Sequence, residues 1–136
     1  MKRRDFLIAA GATTLIPFAV QAETLLYTEG LVRERLSAGE TVFVDFKADW
    51  CTTCRAQERV INSIKADDAS YDDAITFIDV DWEEFGRSQL SRDLNIPRRS
   101  TLVVLKGDQE LGRIVAGTSR ADIQDLMNVA LNAAAA

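Results

Sequence analysis

From Val42 to Glu58 the chain runs VFVDFKADWCTTCRAQE. Its first half is β-branched and aromatic, the composition of a buried strand, which is expected over Thr41–Ala48. Cys51 and Cys54 follow at positions i and i+3, and they are the two cysteines of the chain. Behind them Ala56, Val60, Ile61 and Ile64 make one apolar face across the charged Arg55, Glu58, Arg59 and Lys65. That pattern predicts a surface helix lying on a sheet.

The cysteine pair has three simple uses. A structural zinc takes four ligands, usually Cys and His, and this sequence holds no histidine and no further cysteine. A stabilising cross-link gains most from closing a long loop, and this loop is among the shortest that exist. What the spacing suits is switching: two thiols near enough to form an intramolecular disulfide and to resolve a mixed disulfide with another molecule. Cys51 ends a strand and opens a helix, where unpaired backbone N–H groups and the macrodipole favour an anion. A thiol of ordinary pKa about 8.5 falls to roughly 3.5–7.5 in such positions. Cys51 is therefore the expected attacking sulfur, and Cys54, one turn inside the helix, the resolving one.

Outward from this core the chain shows no repeat or linker, so one domain is expected over residues 23–136. Leu25-Leu26, Leu31-Val32 and Leu36 recur at helical spacing, stopped by Gly39. Ala74–Asp81 has the composition of a strand, and Phe85, Leu90 and Leu94 sit on a short helix before Pro97. Ser100–Gly117 is a hairpin turning at Gly107-Asp108. A last helix starts at the cap Ser119 and carries Ile123, Leu126, Met127 and Ala130. This order implies an α/β fold with a central mixed β-sheet flanked by helices on both faces.

Bulk properties narrow the function. The 136 residues are 47% apolar and 27% charged, as in globular domains, with net charge −5 and no long basic run, so no nucleic-acid footprint is present. The front of the chain, MKRRDFLIAAGATTLIPFAVQA, has a basic start, an apolar middle interrupted by Pro17 and a small-residue end at Ala22. This is signal-peptide grammar over residues 1–22, with cleavage after Ala22. Phe6–Val20 falls short of the roughly 20 residues of a spanning helix, which sets an uncleaved anchor as the lesser alternative. Arg3-Arg4 followed by Asp5-Phe6-Leu7 resembles the twin-arginine export motif, so the periplasm is the expected location, with a general secretory signal as the competing reading.

VFVDFKADWCTTCRAQE resembles the strand, Trp-Cys-x-x-Cys turn and helix of the thioredoxin superfamily, and STLVVLKGDQELGRIVAGTS is similar to its closing hairpin and following glycine. Within that superfamily ADWCTTC is most similar to the C-terminal domains of DsbD-type electron carriers. The resemblance implies a thioredoxin-like fold and a thiol:disulfide oxidoreductase, leaning to a reductase, with no cofactor beyond the Cys51–Cys54 redox pair and no resident metal. It implies disulfide-containing protein substrates, a membrane thiol electron donor and a monomer.

Residue by residue, Asp45 matches the family's buried carboxylate behind the pair, which assists proton transfer at the resolving cysteine. Trp50 matches the motif tryptophan at the substrate surface. Phe77 stands where the family often has a lysine, which implies an apolar setting for Asp45. The family's cis-proline position falls on Ser100 in a gap-free alignment, with Pro97 as the competing occupant of a longer loop. A cis bond before serine would cost about 2.5–4 kcal/mol, which favours a trans or rearranged loop. Arg99, Ser100 and Thr101 thereby become candidates for substrate binding, and Arg98 and Arg99 either steer an acidic partner, support a thiolate or form a solvated turn. Two other function classes remain open at this point: a metal or iron–sulfur protein pooling Cys51 and Cys54 across a dimer, and an inactive interaction domain.

Overall fold

The computed structural model describes residues 23–136 and, ahead of them, Gly11 alone; the leader, its Arg3-Arg4 pair and the cleavage point lie outside the described residues. Strand β2 (Thr41–Lys47) is the centre of the sheet, with Thr41 to Phe46 all buried and Lys47 partly so. A strand covered on both faces reads as a continuous apolar run, which is why TVFVDF stands out in the sequence. β2 pairs parallel with β3 (Thr76–Asp81) and antiparallel with β4 (Thr101–Lys106), which pairs antiparallel with β5 (Gln109–Val115). The short β1 (Leu25–Leu26) adds to the free edge of β3, giving the order β1-β3-β2-β4-β5.

Side-chain alternation sends Phe43, Phe77, Leu102 and Val104 to one face, where they meet α2 (Thr52–Asp67), α3 (Ser70–Ala74) and α6 (Arg120–Ala135) through Ile61, Ile64, Tyr71, Ile123 and Met127. Val42, Val44, Phe46, Ile78 and Val103 point the other way, toward α1 (Leu31–Ser37), α4 (Trp82–Phe85) and α5 (Gln89–Asp93). Each fully buried Phe, Ile or Leu among them contributes roughly 1.5–3 kcal/mol. Asp45 shares parity with Phe43, so it lies on the α2 and α6 face.

Three expectations need correcting. Leu25 and Leu26 are strand rather than helix: they pair with Ile78 and Asp79, and helix α1 begins only after Gly30, whose φ of 87° ends the extended segment. The helix expected around Phe85 and Leu90 is two helices, because Ser88 caps a fresh start, its hydroxyl accepting from Ser91 N at 3.3 Å. Gly86 sits at that break where a Cβ would come within 2.7 Å of the Trp82 carbonyl. The buried stripe of α2 is Cys54, Gln57, Ile61 and Ile64, turned from the expected one, with Ala56 and Val60 only half-buried.

The hairpin and final helix form where the sequence places them. Lys106 pairs with Gln109 across Gly107-Asp108, and Gly107 supplies the positive φ of 59° that a two-residue turn requires. Ser119 caps α6 by accepting from Asp122 N.

Candidate active site

Cys51 is the N-cap of α2, and its sulfur accepts the Cys54 N–H at 3.1 Å. One of the helix's orphan donors is thus aimed at the sulfur that is to carry negative charge. The two cysteines form a disulfide with Cα atoms 5.2 Å apart. Both are buried, Cys51 at 2% and Cys54 at 1% exposure, so solvent access does not distinguish them; position on the helix does. Arg55 fixes the turn before the pair by donating from Nε and Nη2 to the Asp49 carbonyl at 3.1 and 2.6 Å.

Ser100 stands against the pair and Pro97 does not. Its Oγ lies 3.1 Å from Cys51 Sγ and 3.2 Å from Cys54 Sγ, with the residue wholly buried. Among the described residues no peptide bond is cis; Ser100 instead takes a φ of 64°, in the left-handed region that non-glycine residues seldom enter. Its N–H donates to the Phe46 carbonyl at 2.7 Å, and its own carbonyl accepts from Ala116 N at 2.8 Å and Gln57 Nε2 at 3.0 Å.

Gln57 is a site residue that the sequence reading passes over. Fully buried on the α2 stripe, its amide nitrogen also donates to the Gly117 carbonyl at 3.0 Å, tying the cysteine-bearing helix to the loop before β4 and the loop after β5. The signal was present: a glutamine at a core position of an amphipathic helix needs buried partners. Gln57→Ala takes one donor from the Ser100 carbonyl, which keeps Ala116 N, and one from the half-buried Gly117 carbonyl. It is expected to destabilise the protein by about 1–3 kcal/mol, read as a lower urea midpoint with unchanged slope.

Asp45 is buried as expected, but its surroundings are charged rather than apolar. Phe77 packs on Phe43 with ring centroids 5.1 Å apart, and the place beside Asp45 in register is taken by Asp79. Lys47, two residues along the same strand face, makes ion pairs with Asp79 at 3.4 Å and Glu58 at 3.1 Å. Burial, then the Asp79 charge, pushes the Asp45 pKa up to about 8 against the opposing pull of Lys47. Burial likewise raises Asp79 despite its lysine partner. For Lys47 burial works the other way, and the carboxylates of Asp79, Asp45 and Glu58 outweigh it, raising its pKa. Glu58, on the charged side of α2, is part of this cluster. One Asp45 oxygen is buried without a hydrogen-bond partner, a state far cheaper for a neutral acid than for a carboxylate.

Of the residues expected to bind substrate, Trp50 and Arg99 lie together at the surface and Thr101 does not. Trp50 is 56% exposed, its indole N–H donates to Glu83, and the Arg99 guanidinium stacks 4.2 Å from its ring centroid. Thr101 is not presented to a partner: it is wholly buried and its hydroxyl donates to the Arg98 carbonyl at 2.7 Å. Among the described residues no group of three or more His, Cys, Asp or Glu side chains is arranged to hold a metal ion.

A sulfur that accepts a backbone N–H at a helix N-terminus and a second sulfur one turn in, joined as a disulfide, can together carry out thiol–disulfide exchange. Known proteins are similar to this chain in sequence and in fold. Thioredoxin H2-1 of Oryza sativa subsp. japonica is 29% identical over 87 residues, which take in 64% of this chain and 58% of that protein. The thioredoxin-like protein CXXS2 of Arabidopsis thaliana is 29% identical over 104 residues, 76% of this chain and 63% of the relative. The chain thus spans about three fifths of the length of these curated relatives. The crystal structure of Trxlp from Edwardsiella tarda superposes with a TM-score of 0.65 at 26% identity, covering 77% of this chain and 98% of that one. Malassezia sympodialis thioredoxin superposes with a TM-score of 0.69 at 22% identity, covering 81% and 92%, a likeness of fold. Residues 24–129 match the family model described as Thioredoxin, and the chain belongs to the thioredoxin family.

Proposed function

We propose that this chain is a thiol:disulfide oxidoreductase exported to the periplasm by a twin-arginine leader and acting there as a monomeric reductase. The observation that carries the exchange chemistry is the N-cap placement of Cys51, with the Cys54 amide on its sulfur and Cys54 behind it. The Cys51 thiolate displaces one sulfur of a partner protein's disulfide, forming a mixed disulfide and releasing a partner thiolate. Cys54 then gives up its proton, attacks Cys51 Sγ and releases the second partner thiolate, leaving the Cys51–Cys54 disulfide. Asp45, on the face of the sheet that α2 covers and with its pKa pushed up to about 8, takes that proton in its ionised fraction and returns it in the reverse direction. The electrons stay on sulfur throughout, so the two cysteines are the whole redox apparatus.

The leader MKRRDFL and the likeness of ADWCTTC to DsbD-type domains support export and the reductase direction, with a membrane thiol donor returning electrons to the pair. The stacked Trp50 and Arg99 supply an apolar and cationic platform for the substrate protein. In cells quenched with acid and alkylated, the pair is expected chiefly as the dithiol; a pair held chiefly as the disulfide would reverse the direction to oxidase. Changing Arg3→Lys together with Arg4→Lys is expected to strand the precursor inside the cell, whereas undiminished export would assign it to the general secretory route.

A further inference from the structure

Ser100 offers more than a substitute for a missing ring. A hydroxyl has one proton to donate and lone pairs to accept with, and this one is buried between two sulfurs. While those sulfurs are joined, neither has a proton to give, and a disulfide sulfur is a weak acceptor. Once the pair is reduced, the same two positions become a thiolate and a thiol, and the hydroxyl matches both. The backbone that carries the hydroxyl is held in place, since the Ser100 N–H and carbonyl are each committed to neighbouring segments.

We infer that Ser100 bridges the reduced pair, donating its hydroxyl proton to the Cys51 thiolate and accepting the Cys54 thiol proton, and so sets both the acidity of Cys51 and the redox poise of the site. The inference rests on the exchange function proposed above. In the balanced reaction the Cys51–Cys54 disulfide meets a partner dithiol. Two electrons pass to the pair and its S–S bond breaks. Of the two partner protons one becomes the Cys54 thiol proton and one goes to solvent; Cys51 is left as thiolate and the partner as disulfide. Because the bridge forms fully only on the product side, it favours the dithiol and makes the pair easier to recharge by a donor.

A hydrogen bond to a charged group is worth more than one between neutral groups, and its loss is expected to move the equilibrium by about tenfold. Ser100→Gly removes the hydroxyl while tolerating the φ of 64°, and Ser100→Ala removes it while keeping a Cβ. In both variants the Cys51 pKa, read from the pH dependence of alkylation rate, is expected to rise by about one unit. The equilibrium constant with glutathione is expected to shift about tenfold toward the disulfide, which is about 30 mV more reducing. Agreement between the two variants assigns the effect to the hydroxyl. A shift in the glycine variant alone would place it in backbone restraint and overturn the bridge, as would values within twofold of wild type in both. If the wild-type pair fails to equilibrate with glutathione at all, the exchange function itself falls, an outcome distinct from equal poise in wild type and variants.

Discussion

With Cys54 replaced by serine, a mixed disulfide between Cys51 and a partner protein is expected to accumulate; with Cys51 replaced by serine, none forms. The asymmetry follows from the first turn of α2, because the two sulfurs are equally shielded. Only the Cys51 sulfur accepts a backbone N–H from the helix terminus, so it is the one stabilised as an anion. A serine hydroxyl in its place stays un-ionised near neutral pH, and the exchange rate is expected to fall on the order of 10⁴-fold. Cys54→Ser leaves attack intact and stalls the second step, so its product is visible as a reducible band on a non-reducing gel and by mass. Trapping by Cys51→Ser instead would invert the roles, and no trapping by either variant, with the protein reduced beforehand, would sink the exchange mechanism.

Asp45→Asn is expected to slow the resolving step by about 100-fold and, at the same time, to make the protein more stable in alkali. The sign follows from where the proton sits. In the folded protein the carboxyl keeps its proton up to a pKa of about 8, against 3.8 ordinarily, so between those values the native state holds a proton that the unfolded chain has released. Stability of the wild type therefore declines as pH rises from about 4 to about 8 and levels off above. Asparagine has no such titration. Near pH 9 the variant is expected to exceed the wild type by about 2–4 kcal/mol, a figure below the full linkage value because Lys47 and local relaxation ease the charged form. Near pH 4 the two are expected to converge. Denaturant melts at both pH values and single-turnover kinetics check the two halves separately, and a stability difference that is the same at both pH values would contradict the buried-acid account.

Much of the fold is legible because its strongest signals are local. β2 announces itself through six consecutive buried residues, the hairpin through Gly107-Asp108, and α6 through Ser119 and the spacing of Ile123, Leu126, Met127 and Ala130. What escapes is set by partners distant in sequence. Leu25 and Leu26 are a strand only because the β3 edge accepts them, and no period of two can be read from two residues. Asp79 reaches Asp45 through the β2–β3 register, invisible until that pairing is fixed, while Lys47 could have been placed from its i+2 parity with Asp45. For Ser100 the gap-free alignment points to the right residue. That the chain would keep the peptide trans, carry the strain in a left-handed φ and turn the hydroxyl onto both sulfurs depends on Phe46, Ala116 and Gln57, each contributed by a different segment.

Gln57 has a consequence for how the molecule opens. One amide group holds the carbonyls of Ser100 and Gly117 together beneath the first turns of α2, so neither loop can part from the helix alone. Spontaneous opening around the cysteines should then be a joint event: the amide protons of Ser100, Ala116 and Cys54 should exchange with solvent deuterium at a common rate, slower than those of the solvent-facing β5 residues Gln109 and Glu110. In Gln57→Ala the three rates should separate, with Ala116 becoming the fastest. The redox centre of this protein would on that account breathe as a single cooperative unit, closed or open as a whole.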